Sequence, residues 1–395
     1  MPKTLFYSLL CFFLAFSLQT IQAQDTIYTN SVNNMFNNEK NLSIRGYAQI
    51  DFNQPIEKEI RRNGKLEVHR LVLFAGYRFN SKLQFISEIE VEHGDQIFIE
   101  QAFAQYKLRR GMNLRAGMIV IPMGIINEYH EPTTYHGVER PNVDNVIIPT
   151  TWRELALGIN GVISQANLRY QLYITNGFLS HDGTSGIIRG VDGLRKGRQK
   201  GLRSTLSSPN VSAKFDYFGM RNLKLGLSVY GGKTQSRLYD GLDKNAELLT
   251  SQADSSVIGL FMVSADARYT KNGFEGRAVY VFSNHSDASA YNAFTGQDLG
   301  SQMTGYYIEA AYDVLTLADK TYKTSVLPFI RYEKFDTHAR VDQIEKNEAF
   351  NRQEITAGIS WRHQQSVSFK ADYQWIKNGL NEKMQQLNLG VGVWF

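Results

Sequence analysis

Three groups of residues in this chain have types and spacings that could do chemistry. The densest runs Glu128-Tyr129-His130-Glu131, with Tyr135, His136, Glu139 and Arg140 close behind. Histidines beside carboxylates are the raw material of metal sites and acid–base pairs. His130 and His136, however, stand six residues apart in a proline-interrupted stretch, which matches no standard ligand pattern, so no metal and no cofactor is expected. Ser283 with His285, and Ser360 with His363, put a hydroxyl near a base, but neither pair has an evident third group to orient the histidine. The third group is basic: Arg189, Arg195, Lys196, Arg198, Lys200 and Arg203. Such a cluster either funnels anions or forms a solvated loop meeting lipopolysaccharide phosphates. His93, His181, His285 and His338 are scattered over connecting segments and read as surface residues.

These side chains need a scaffold, and alternation supplies it. In Met384–Phe395, Leu387, Leu389, Val391, Val393 and Phe395 fall on one side of a period-2 backbone, with Gln386, Asn388, Gly390 and Gly392 on the other. Leu42–Asn53, Lys65–Phe79, Lys82–Glu92, Ala166–Thr175 and Val367–Ile376 repeat the pattern, and about 16 such stretches fill the chain. Gln96–Leu108 and Lys323–Phe335 have apolar residues on both faces, so alternation does not fix their register. Connections alternate between short ones, such as Asn80-Ser81 and Ser164-Gln165, and long ones, such as Pro122–Thr151 and Asn176–Pro209. That rhythm, the even strand number and 12% aromatic residues describe an all-β transmembrane antiparallel barrel with short periplasmic turns and long external loops. A pair of β-sandwiches would mix its connection lengths instead.

Residues 1–23 read as a secretory signal: Lys3, an apolar Leu5–Leu18, then Ile21-Gln22-Ala23. Cys11, the only cysteine, falls inside it, so the mature chain has no thiol and no disulfide. Residues 24–41 are Asn-rich and read as a flexible periplasmic lead, and 42–395 as the barrel, with 122–151 folded inward. The net charge of +5 falls to +4 when Lys3 leaves; so small an excess on an exported chain argues against nucleic acid. Mean hydropathy is −0.32, and no mature stretch has the roughly 18 apolar residues of a membrane helix. Neither fact counts against a barrel, which hides its lipid face in alternation. Lipid cannot satisfy backbone amides, so such a sheet must close on itself, and its charged inner face then needs water. About 16 strands leave room for an aqueous channel.

The stretches Gly46-Tyr47-Ala48-Gln49-Ile50-Asp51-Phe52, Arg70 with Phe74 and Gly76, Glu88 with Glu90, Ile99-Glu100-Gln101-Ala102-Phe103-Ala104-Gln105-Tyr106, Gly117 with Ile121-Pro122-Met123-Gly124, and Glu139-Arg140 together resemble the phosphate-selective porin O/P family. The resemblance covers nearly the whole mature chain. It implies a 16-stranded homotrimeric porin of the Gram-negative outer membrane, an inward-folded third loop, and Phe395 as an assembly signal. Expected partners are outer-membrane lipid and lipopolysaccharide, and small solutes or inorganic anions. Arg70, Arg78, Arg115, Arg140 and Arg169 are the expected anion contacts. Glu128, Tyr129, His130, Glu131, Tyr135, His136 and Glu139 would form the constriction loop. Acids such as Asp51, Glu88, Glu90, Asp216, Asp266 and Asp372 nearly match the lumen-side bases. The expected function is passive diffusion of small hydrophilic solutes, with an anion or phosphate preference as the finer expectation. The alternatives are a non-conducting structural or adhesive barrel and an outer-membrane barrel hydrolase.

Overall fold

The computed structural model describes residues 30–36, 40–243, 245–318, 323–364 and 366–395; the expected signal at 1–23 lies outside the described residues. The first half of the chain supplies β1 (Leu42–Ile56), β2 (Lys65–Arg78), β3 (Leu83–Glu92), β4 (Gln96–Arg109), β5 (Met112–Val120), β6 (Arg153–Ile163), β7 (Leu168–Thr175), the short β8 (Leu179–His181) and β9 (Asn210–Met220). The second half supplies β10 (Leu223–Lys233), the short β11 (Gln235–Ser236), β12 (Gly259–Lys271), β13 (Phe274–Ser286), β14 (Gln302–Tyr312), β15 (Thr324–Arg340), β16 (Asn351–His363), β17 (Val367–Asn378) and β18 (Lys383–Trp394). All but β8 and β11 pair antiparallel with their neighbours into one closed 16-stranded barrel; β8 and β11 form a small parallel pair among the long loops.

Alternation decides which face is which. Ile44, Leu71, Leu73, Ile89, Phe369 and Leu389 are exposed on the outside, whereas Gln49, Asp51, Glu88, Glu90, Lys370 and Asp372 are buried inside. An apolar exterior around a polar interior, with every strand paired on both edges, is the form a sheet takes in lipid. Among the described residues no helix is long and apolar enough to cross a membrane.

The seam joins β1 to β18, from Tyr47 opposite Trp394 to Ile56 opposite Gln385. Gly46 and Phe395 extend it, each N–H donating to the other's carbonyl at 2.9 Å. Glycine is required there: a Cβ on Gly46 would sit 2.6 Å from both Phe395 Cζ and the Val72 carbonyl oxygen.

Two bulges alter the inner face. Between β1 and β2, Gln49 opposes Arg70 and Ile50 opposes Val68, which leaves His69 extra. Between β3 and β4, Glu88 opposes Gln101 and Ile89 opposes Ile99, which leaves Glu100 extra. A bulge re-aims side chains, and here Glu100 and Gln101 are both buried. The parity of β4 flips at Glu100, so this strand carries apolar residues on both faces. In β15 the cause differs: Leu327 and Phe329 face inward with Arg331 and Glu333 because protein, not water, lies against them.

The flexible lead expected at 24–41 needs correction at its centre. Ser31–Phe36 forms a short helix, α1, inside the short-turn end of the barrel. Val32 and Met35 cover an apolar patch of Tyr47, Val72, Phe74, Ile86 and Phe103 on the inner wall. Trp394 Nε1 donates to Ser31 Oγ at 2.7 Å, and Arg78 donates to the Phe36 carbonyl at 3.1 Å.

Candidate functional site

The connection between β5 and β6, residues 121–152, enters the lumen, and its entry is built on one side chain. Asn127 Nδ2 donates to the Ile121 carbonyl at 2.6 Å and the Trp152 carbonyl at 3.0 Å, while its Oδ1 accepts from Trp152 N–H at 2.8 Å. The two ends of the segment are thereby held together by a fully buried amide. Pro122, Pro132, Pro141 and Pro149 fix φ along the path between them.

One side of this loop is apolar. Ile121, Ile125, Ile126, Val143, Ile147 and Trp152 pack with Tyr230, Met262, Val281, Met303, Tyr307 and Phe335 from the inner faces of β10 and β12–β15. The expectation that the inner wall is hydrated on nearly every strand is therefore corrected for that half of the lumen, where loop and wall share a dry core.

The other side is polar and ties the expected constriction residues to the wall one by one. Glu128 accepts from Lys214 Nζ and Gln171 Nε2, each at 2.6 Å, and from Arg169 at 3.4 Å. Burial disfavours its charge, but Lys214 and Arg169 hold its carboxyl below the usual range. Tyr129 lies under Arg268, whose Cζ is 5.2 Å from the ring centroid. Glu131 accepts from Ser31 N–H at 2.6 Å, and burial pushes its carboxyl up to about 7. Tyr135 donates to Gln49 Oε1 at 3.2 Å, with Lys370 Nζ 3.9 Å from its ring centroid. His136 is gripped by Glu309 at 2.6 Å and Glu275 at 2.8 Å and stacks on Phe329. Glu139 accepts from Asn53 at 3.0 Å.

His130 and His136 thus face different walls, and neither is joined by Glu128, Glu131 or Glu139. His130 instead points Nε2 at Glu88 and Glu100, 3.5 Å from each. Burial disfavours a charged ring there, yet Glu100 and Glu88 push its pKa up to about 10.

The five arginines singled out from sequence do not form one site. Arg70 is buried against Glu90 at 3.4 Å. Arg140 donates to the His130 carbonyl at 3.0 Å. Both line a cavity of about 560 Å³ toward the long-loop end, between the inward loop and β1, β2, β17 and β18. Arg169 lies deeper, paired with Asp216 at 3.0 Å. Arg115 and Arg78 sit at the short-turn end, Arg115 over the rings of Phe103 and Phe36, and Arg78 on α1.

In the cavity Lys65, Arg70, Arg140, Arg195 and Arg352 stand against Glu67, Glu92 and Glu139. Sequence reasoning passed over Arg195 and Arg352 as lumen residues. It also missed the Arg331, Glu333 and Glu100 charges, which lie on the two strands whose register alternation left open.

The basic loop after β7 has a structural use. Arg198 donates to the carbonyls of Pro149 and Thr151, both at 3.2 Å, and Arg195 to the Thr150 carbonyl, so both pin the returning arm of the inward loop. The reading of His181, His285 and His338 as surface residues is corrected: all three are buried, because the long loops pack over one another. His338 bonds the Asp298 carbonyl at 2.6 Å. Ser283 Oγ and His285 Nε2 are 2.8 Å apart, but both are sealed from solvent and His285 Nδ1 faces the Gly300 carbonyl, not a carboxylate. Ser360 and His363 point to opposite faces of β16, the first inward and buried, the second outward and exposed.

No protein-family model matches the chain. An uncharacterized protein of Aquifex aeolicus (strain VF5) is 32% identical over 346 residues, covering 85% of this chain and 76% of that protein. Among solved structures, the outer-membrane channel DcaP of Acinetobacter baumannii superposes with a TM-score of 0.58 at 11% identity, over 90% of this chain and 97% of that one. The anion-selective porin of Comamonas acidovorans gives 0.57 at 10% identity, over 90% and 99%. OprB of Pseudomonas putida gives 0.57 at 12%, over 92% and 96%. The fold is that of the outer-membrane porin barrels.

Proposed function

We propose that this chain, which belongs to the same family as the uncharacterized Aquifex aeolicus protein, is an outer-membrane porin passing small hydrophilic solutes by passive diffusion, with a mild preference for anions, phosphate among them. The observation that carries the preference is the cavity above the inward loop, where Arg140, Arg195 and Arg352 with Lys65 and Arg70 outweigh three glutamates. A basic vestibule with low-dielectric walls raises the local concentration of anions. The dry core between the loop and β10–β15 leaves the half of the lumen bounded by β1–β3 and β16–β18 as the polar route, with Tyr135, Glu139, Arg140 and Asn142 of the loop as its inner wall. Location in the outer membrane, contact with lipid and lipopolysaccharide on the exposed apolar face, and assembly as a homotrimer belong to the same reading. The anion-selective porin and the DcaP channel share the architecture, which supports a channel over a hydrolase or an adhesive barrel.

Reversal potentials in planar bilayers under a KCl gradient test this reading. Arg140→Glu combined with Arg352→Glu should move the reversal potential toward cations. An unchanged value removes the vestibule from the account of selectivity.

A further inference from the structure

We propose that His130, Glu88 and Glu100 form a binding site for one divalent transition-metal ion, of the class held by an imidazole and two carboxylates, which clamps the inward loop to the barrel wall. The bulge in β4 makes the site possible. Because Glu100 is the extra residue, it and Gln101 both turn inward; Gln101 Nε2 donates to Glu88 Oε2 at 2.6 Å and leaves Glu88 Oε1 for His130. The histidine comes from the loop, and its Nδ1 lies 2.9 Å from the Asn127 carbonyl, which can only accept. Nδ1 therefore keeps its proton whether the ring is charged or neutral. An ion entering the site would displace only the Nε2 proton that Glu88 and Glu100 favour in its absence, leaving the Nε2 lone pair on the metal and Nδ1 held by an outer carbonyl.

That lone pair faces two carboxylates. Nε2 is 3.5 Å from Glu88 Oε1 and 3.5 Å from Glu100 Oε2. A proton bridging an imidazolium and a carboxylate would draw them to about 2.7–2.9 Å. Ligands about 2.0–2.1 Å from a tetrahedral ion stand about 3.3–3.4 Å from one another, close to the spacing found. His130 Nε2, Glu88 Oε1 and both Glu100 oxygens are buried without a hydrogen-bond partner. Arg153 stands 3.7 Å from Glu100 Oε1 and offsets part of its charge without hydrogen-bonding it, and an ion among the four atoms would satisfy them together. The ion would neutralise both carboxylates, and its fourth position would fall to a water or to Tyr47, whose hydroxyl also has no hydrogen-bond partner and whose ring meets His130 edge-on.

A second group, Glu67 with His69 and His93, lines the outer cavity. It is already satisfied: both histidines bond Glu67, at 3.2 and 2.9 Å, and Arg70 contacts His69 Nε2 at 2.9 Å. It serves as the control.

The site does not depend on what passes through the lumen, and metal content reads it directly. Untagged full-length chain folded in detergent is stripped with chelator, incubated with Zn²⁺ alone, desalted and analysed for zinc; a parallel sample takes Co²⁺ and is read by its visible spectrum. The expected result is one tightly held Zn²⁺ per chain, with a four-coordinate Co²⁺ spectrum. Both should be lost in Glu100→Gln and in His130→Gln, and kept in His93→Gln. Heat-modifiable gel mobility shows that each variant still closes its barrel, and Glu88→Gln stands in for either variant that does not. Absence of retained zinc in the wild type, or equal retention in variants with closed barrels, overturns the proposal. So would loss of the ion in His93→Gln alone, which would place it in the outer cavity.

Discussion

Replacing Asn127 by Ala should free the inward loop while leaving the barrel closed. The magnitude follows from what each partner keeps. The Ile121 carbonyl retains the Met123 N–H at 2.8 Å, and the Trp152 carbonyl retains the Ile121 N–H at 2.9 Å, so neither is orphaned. Trp152 N–H has Asn127 Oδ1 as its acceptor at 2.8 Å, and is left buried and unpaired. An unsatisfied buried donor costs about 1–3 kcal/mol, and two further hydrogen bonds contribute about 0.5–1.5 kcal/mol each. The loop's docked state should therefore lose about 2–6 kcal/mol. The 16-stranded ladder does not include Asn127, so barrel closure should be unaffected. The assay is cleavage of detergent-folded protein by a Glu-specific protease at Glu128–Tyr129, a bond flanked by buried residues. Where loop opening is fast relative to cleavage, the rate follows the open population, and about 1.4 kcal/mol is worth a factor of ten. Asn127→Ala should be cut at least about tenfold faster, with unchanged heat-modifiable mobility. Equal cleavage rates would show that the amide does not hold the loop, and a lost mobility shift would show that loop and barrel are not separable.

Asp144, in the apolar part of the loop, has its carboxyl pushed up by burial to about 7 from an ordinary 3.8. A raised carboxyl stabilises the docked state fully below pH about 3.8 and loses that contribution as pH rises through about 7. Between pH 8 and pH 5 this carboxyl should thus add roughly 2–3 kcal/mol to docking; the urea midpoint read by tryptophan emission should rise on acidification, and Asp144→Asn should reduce the slope to the part that Glu131, also raised to about 7, contributes. Gly46→Val drives a side chain into the Phe395 ring and the Val72 carbonyl, and overpacking of that kind costs about 1–3 kcal/mol. The temperature of the gel-mobility shift should fall, and an unchanged transition would mean that the seam relaxes there. Deleting residues 30–39 removes α1 from Arg78, Arg115 and Trp394 and should raise single-channel conductance; an equal conductance would place α1 off the conducting path.

The barrel was legible because its physics is written with period 2. Each of the 16 barrel strands from Leu42 to Trp394 puts apolar residues on the outer face, and the two stretches that resisted assignment did so for local reasons. β4 changes parity at Glu100, which no alternation reveals, since a bulge depends on its partner strand. β15 turns Leu327 and Phe329 inward, where they pack with Ala311 in a small apolar cluster and His136 of the loop stacks on Phe329. The inward loop could be suspected from its length and prolines, but its partners could not be read. His136 meets Glu275 and Glu309, and Glu128 meets Lys214, across 139, 173 and 86 residues of sequence, and only barrel closure brings them together. Arg195 and Arg198 looked like a solvated cluster because sequence does not show that their donors face loop carbonyls.

In the proposed function the polar half of this barrel conducts, and its vestibule favours anions. Single-channel recording of the purified wild-type chain in a planar bilayer under a KCl gradient tests both parts together. Discrete conductance steps with a reversal potential on the chloride side, shifted or blocked by added phosphate, are the expected result. A bilayer that stays silent while the protein shows heat-modifiable mobility, or steps that reverse on the potassium side, would contradict it.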